Sequence, residues 1–201
     1  MKIELDLNYR GDRNYLQGGD FYIALTNASK DYCNDPKVYV KKLTFRNFAR
    51  TCCEIVSIKP SDFSRLIGEV RFSNDTGSKL WDAWIIEKEN DVIKRKEFNE
   101  ELLLSKAVID SVKRVGILHK RSKYMPIDDI IALTKCINYA VAPKISGTWV
   151  FGQIDLEGHI NIDYKELKVE INSLIPGRFT LNNIFLDGRH TGNVRFIVGN
   201  P

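Results

Sequence analysis

The feature that most constrains this chain is an internal repeat. Displaced by 108 positions, Arg13 to Thr26 (RNYLQGGDFYIALT) overlies Arg121 to Thr134 (RSKYMPIDDIIALT), with identity at six of fourteen positions. A repeat of that period makes two units, each about half the chain. The surroundings of the two copies agree. Upstream of each lies a stretch with apolar residues at or near alternate positions, Ile3 to Leu7 in one half and Val112 to Ile117 in the other, as a half-buried strand requires. Each copy then turns, at Gln17-Gly18-Gly19 or Met125-Pro126-Ile127. Each turn leads into an aspartate, Asp20 or Asp128, a residue type that caps helix N-termini.

The helices that follow, Phe21 to Leu25 and Ile130 onward to Val141, are apolar around most of their circumference, which predicts burial. Strand-like segments complete each half. Val38–Val40, Leu43–Phe45, Cys53–Val56, Leu66–Phe72 and Trp81–Ile86 form the first set. Trp149–Phe151, His159–Ile162, Leu167–Ile171, Phe179–Phe185 and Val194–Val198 form a second set parallel to it in plan, with a hairpin turn at Asp187-Gly188. The charged stretch from Glu87 to Glu101 reads as a solvated linker, with helix as its candidate conformation. A helix apolar on nearly all sides needs a curved sheet around it, and two such halves can pair edge to edge.

Composition narrows the class. At 201 residues, 43% apolar and 28% charged, the chain buries a core without staples and is not a disordered tail. No apolar run reaches the roughly 18 to 20 residues of a membrane span, and the first residues alternate instead of forming a signal core. A cytoplasmic location and no membrane partner are therefore expected. The net charge of +4 is a thin excess, so a nucleic-acid partner is not expected. Cys33, Cys52, Cys53 and Cys136 lack metal-ligand spacing and read as buried free thiols, so neither a metal nor another cofactor is expected.

This order of elements resembles the hotdog fold in its tandem form, the double hotdog, and within it the 3-hydroxyacyl-thioester (acyl carrier protein) dehydratase branch. The residues carrying the resemblance are Tyr124-Met125-Pro126-Ile127 before the second helix, Leu167-Lys168-Val169-Glu170-Ile171, Leu186-Asp187-Gly188-Arg189, and Lys41 to Arg46 in the first half. It implies an α+β fold in which two antiparallel sheets, each wrapped around a buried central helix, join into one continuous sheet. Residues 1–105 would be the N-terminal hotdog repeat and 106–201 the C-terminal one. The resemblance further implies an acyl carrier protein or coenzyme A thioester as partner, a place in fatty acid or polyketide metabolism, and a pseudo-dimeric monomer or a homodimer.

A dehydratase of this kind uses a His as base and a carboxylate as acid, from opposite halves, while a backbone N–H at a helix start polarises the thioester carbonyl. His119, seven residues before Pro126, stands near the family's His position, where the first half has Gly11. The family's acid belongs about two turns into the helix, and here the residues are Ala24 and Ala132. Asp20 and Asp128 are left as candidates for which capping competes with catalysis. Asp129, unique to the second half, would activate water as helix carboxylates do in hotdog thioesterases, or stand as a solvated first-turn acid. Arg13 and Arg121 recur before the turns, to hold either a phosphopantetheine phosphate or backbone carbonyls. Gly19 and Ile127, at the helix starts, complete the substrate-binding set. The missing helical acid makes a non-catalytic acyl-binding or assembly subunit the competing reading.

Overall fold

Two sixteen-residue helices keep the spacing of the repeat: α1 spans Gly18–Cys33 and α2 spans Pro126–Val141, so both their first and last residues lie 108 apart. They belong to a computed structural model that describes residues 2–76, 78–100 and 104–200. The chain divides into two compact units. One runs to Phe98 and includes Glu157–His159, and the other comprises Asn99–Leu156 and Ile160–Asn200.

The first unit contains β1 (Lys2–Glu4), β2 (Tyr9–Arg10), α1, β3 (Tyr39–Phe45), β4 (Thr51–Val56), β5 (Leu66–Ser73), β6 (Lys79–Asp91) and β7 (Arg95–Lys96). Its main sheet is antiparallel in the order β1-β4-β6-β5-β3, and β2 pairs in parallel with β7 beside it. The second unit contains β8 (Ala107–Asp110), β9 (Val115–Leu118), α2, β10 (Thr148–Leu156), β11 (Leu167–Ile175), β12 (Phe179–Leu186) and β13 (Arg189–Gly199). Its antiparallel order is β8-β9-β11-β12-β13-β10.

The halves are therefore parallel in plan only up to a point. With β8 set aside, the five strands β9-β11-β12-β13-β10 compare with β1-β4-β6-β5-β3: each series runs from the strand before the helix to the second strand after it, then the last two, then the strand just after the helix. Those last two are exchanged: β6 lies next to β4, whereas β12 lies next to β11. Connection length explains the difference. Asp187 (φ 50) and Gly188 (φ 77) make the expected two-residue turn between β12 and β13, while the three residues 176–178, with Gly177 at φ 68, return β12 directly beside β11. The 57–65 connection is long enough to release β5 from β4 and leave the place beside β4 to β6. Gly192 (φ 151) in β13 fits because any Cβ there would meet the Asp155 carbonyl oxygen at 2.2 Å.

The helices are packed unequally. Burial covers α2 at Pro126–Ile130, Ala132–Thr134, Ile137 and Asn138, as the all-round apolar pattern requires. In α1 burial is confined to Gly19–Tyr22, Leu25 and Ser29, with the Phe21 ring edge-on to Phe45 at 5.3 Å. Asn27, Asp31 and Tyr32 are exposed, so the expectation of a wholly buried first helix is corrected: its apolar run stops at Leu25 and polar residues follow.

Three strand assignments also change. Val112–Arg114 form a turn, because the Asp110 carboxylate accepts the Val112 and Lys113 N–H groups at 3.1 and 2.9 Å and Arg114 turns left-handed (φ 58). His159–Ile162 lie outside any strand, and Asn161 accepts the Asp163 N–H at 3.0 Å in a side-chain turn. Up to Asn99 the charged stretch after Ile86 is no helix: β6 continues to Asp91, and Glu87 reaches across to accept the Thr51 N–H at 2.8 Å. Glu101, at the far end of that stretch, lies outside the described residues.

Candidate functional site

In the second unit the start of α2 gathers a polar cluster. Pro126 opens the helix with its φ already set and no N–H to satisfy. Asp128 caps it, accepting the Met125 N–H at 3.3 Å while its own N–H donates to the Met125 carbonyl at 2.8 Å. Asp129 is fully buried, which overturns the expectation of a solvated first-turn acid. Its Oδ2 accepts the Ser122 N–H at 3.1 Å and the Tyr164 hydroxyl, while Oδ1 has no hydrogen-bond partner among the described residues. Burial, and then the bond to Asp129, push the Tyr164 hydroxyl far above its ordinary pKa of 10.0. Tyr164 is therefore a permanent donor near neutral pH.

Around this pair two loops are tied together. The Arg121 guanidinium donates to the Ile162 carbonyl and lies 3.8 Å from Asp163. Asp187 Oδ1 accepts the Lys165 and Glu166 N–H groups at 2.8 and 2.9 Å, which fixes the segment carrying Tyr164. His119 follows β9 with its imidazole 62% exposed, and its Nδ1 lies 3.1 Å from Glu166 Oε2. It shares no hydrogen bond with Asp129 among the described residues.

At the matching place in the first unit, α1 begins after Gln17 with no side-chain cap among the described residues. The capping reading of Asp20 is replaced by an ion cluster. Arg10 grips the carboxylate with two bonds, Nε to Oδ2 at 2.6 Å and Nη2 to Oδ1 at 2.8 Å, and Lys96 adds a third. Arg10 and Asp20 are both buried, and the Phe98 ring stacks 4.4 Å from the guanidinium carbon. Arg13 is half-buried, its N–H on the Arg10 carbonyl and its own carbonyl accepting from Arg95 at 3.0 Å.

Gly19 and Ile127, one residue before those aspartates, are alike in both units. Each is buried, and neither N–H donates to an acceptor of the chain among the described residues. Such first-turn amides point along the positive end of the helix dipole. The structure thus brings Arg121, Ser122, Asp128, Asp129 and Tyr164 into one cluster and Arg10, Asp20 and Lys96 into another. Sequence reasoning missed Arg10, Lys96 and Tyr164. Arg10 stands in an Arg-Gly-Asp tripeptide that reads as chance, and Tyr164 lies in a segment with no counterpart in the repeat.

The chain matches no protein-family model and no curated protein sequence. Solved structures do match along nearly its whole length. The tesB protein of Mycobacterium avium subs paratuberculosis is 12% identical, covers 98% of this chain over 92% of its own, and superposes with a TM-score of 0.53. The dehydratase domain of PpsC from Mycobacterium tuberculosis, in complex with C12:1-CoA, is 11% identical with the same coverages and a TM-score of 0.51. The shared architecture is the hotdog fold. No helix among the described residues is long and apolar enough to cross a membrane.

Proposed function

We propose that this chain binds an acyl group presented as a coenzyme A or carrier-protein thioester, with the thioester carbonyl received by the open N–H of a helix start, Ile127 in α2 or Gly19 in α1. The observation that carries the reading is the pair of buried amides at helix starts 108 residues apart, unengaged among the described residues, in a fold shared with a structure in complex with C12:1-CoA. Acyl groups of fatty acid or polyketide metabolism are the substrate class. Residues 1–105 and 106–201 then act as two hotdog repeats of a double hotdog, their sheets joined into one, and the chain is a pseudo-dimeric monomer. Light scattering at one chain's mass supports that arrangement, and an obligate dimer counts against it.

Binding without turnover is the reading favoured here, because the candidate acids are already engaged: Asp20 with Arg10 and Lys96, Asp128 with the Met125 N–H, Asp129 with Tyr164 and Ser122. A cytoplasmic acyl-binding or assembly subunit answers that description. The second reading, a dehydratase-like hydro-lyase, rests on His119, whose exposed imidazole is oriented by Glu166 as a base is oriented by a carboxylate. A thioesterase with Asp129 as water-activating base is the third. Incubation with 3-hydroxyacyl and enoyl thioesters, followed by mass spectrometry, separates them. Saturable binding with every thioester recovered intact supports the binding protein. Loss or gain of water that disappears in His119→Ala supports the lyase, and free acid that disappears in Asp129→Asn supports the thioesterase. Absence of binding to any acyl thioester overturns all three.

A further inference from the structure

The first unit carries an open groove of about 510 Å³ that reaches Asp20 and Lys96 at one end and extends along α1 to Asp31 and Tyr32. One wall is β1 and the residues after it, and the floor is the exposed face of α1. Asp20, Ala24 and Ala28 follow one another at four-residue steps, so they share one face of the helix. The two alanines leave the room there, with Ile23 extending the apolar floor.

The wall is a strand with one side unused. Leu5 donates its N–H to the Cys53 carbonyl at 3.0 Å, in register with the Ile3↔Ile55 and Glu4↔Glu54 pairs. In an antiparallel ladder residues alternate between bonding the neighbour and facing away, so the peptide groups of Lys2 and Glu4 point away from β4. No strand among the described residues pairs with β1 on that side. An unpaired edge above an apolar floor is the geometry into which an extended polypeptide adds as a strand.

Charge selects among such polypeptides. Glu4, Asp6 and Asp31 stand on the groove, and Lys96, at one end, is taken by Asp20. Glu4 shares Lys88, and Asp6 lies 3.7 Å from Lys94. Asp31 has no ion-pair partner among the described residues, and it sits in the last turn of α1, where the helix dipole opposes a negative charge. A cation arriving there relieves both defects. The phosphate end of a pantetheine arm placed there would meet the Asp31 carboxylate.

We propose that this groove docks an extended, basic segment of a partner polypeptide, added as a strand to the free edge of β1, with small apolar side chains on Ala24 and Ala28 and a lysine or arginine at Asp31.

The test uses the full chain and a fluorescein-labelled decapeptide of alternating valine and lysine, read by fluorescence anisotropy at physiological salt. Saturable binding is expected. Asp31→Lys, at an exposed position, should weaken it about tenfold or more. Glu4→Pro removes one outward N–H without touching the ladder to β4, and should weaken it similarly. Ala24→Trp fills the floor and should abolish binding, with circular dichroism confirming that each variant is folded. An alternating valine–glutamate peptide should not compete. Absence of binding, or equal binding by the three folded variants, overturns the proposal. Displacement of the labelled peptide by pantetheine, or self-association of the chain lost in Glu4→Pro, overturns it in favour of a pantetheine site or a second copy of the chain.

Discussion

At two helix starts that match in register, the halves hold a buried aspartate by opposite means. The first unit surrounds Asp20 with full charges, Arg10 and Lys96, under the ring of Phe98. The second holds Asp129, one position further along its helix, with a hydroxyl and a peptide N–H. The repeat places Phe21 opposite Asp129, so the two carboxylates enter the interior from different angles of the same helix turn. Where the chain can bring an arginine under cover, a carboxylate is locked as an ion. With neutral donors only, one oxygen is left without a partner among the described residues, and the site keeps an unmet polar demand. Both clusters tie down the first turn of a helix, beside Gly19 in one unit and beside Ile127 in the other.

The sharpest way to break this comparison is to remove the arginine. Arg10→Met leaves a buried carboxylate with Lys96 alone, and should cost about 3–5 kcal/mol in urea unfolding. Replacing Arg10 and Asp20 together by Met and Leu should restore most of that loss, since an apolar pair of similar volume carries no uncompensated charge. A loss below about 1 kcal/mol for Arg10→Met would show that the ion cluster is not the device holding α1.

A smaller effect is expected in the second unit. Asp129→Ala strands the Tyr164 hydroxyl and the Ser122 N–H in the interior, at about 1–3 kcal/mol. If Asp129→Ala costs more than Arg10→Met, the ranking of charged over neutral clasps is reversed.

The next measurement is alkaline unfolding. Burial raises Tyr164 above its ordinary 10.0, and likewise raises Tyr22 above 10.0 and the Cys53 thiol above 9.0. A group raised on folding gives its full contribution below its unfolded pKa and loses it as pH climbs toward the folded value. Stability should therefore be unaffected by these groups up to about pH 9 and fall above it, by about 1.4 kcal/mol per pH unit for each group once titrating. Tyr164→Phe should remove one group's share of that slope above pH 10. An unchanged slope would mean that the Asp129 clasp is already open.

The smallest effect belongs to His119. Its pair with Glu166 is exposed on both sides, and His119→Ala should change stability by less than about 1 kcal/mol. A larger loss would give His119 a structural role in addition to any role in turnover.

The helices were legible in the sequence because their signals are local: a turn, a first-turn aspartate and an apolar run, repeated at a fixed offset. The order of the central strands was not. Pairing of β4 with β6 and of β11 with β12 depends on where the 57–65 and 176–178 connections return the chain, and alternation within a strand carries no record of its neighbour. The site divided along the same line. Asp20, Asp128 and Asp129 stand beside the turn and were visible, and so were Gly19, Ile127 and Arg121. The partners that decide what the acids do come from elsewhere in the chain, Lys96 76 residues after Asp20 and Tyr164 35 residues after Asp129. A charged stretch likewise read as a linker because Glu87 finds its use only across the sheet, on the Arg50 and Thr51 N–H groups.

The central claim is that helix-start amides receive an acyl thioester, and a titration followed by amide NMR tests it most directly. With S-dodecanoyl pantetheine added to isotope-labelled protein, the Ile127 or Gly19 amide resonance should move downfield and saturate with the ligand, as expected for an N–H that gains an acceptor. Binding that shifts neither amide, or no binding by a protein shown to be folded, would contradict it.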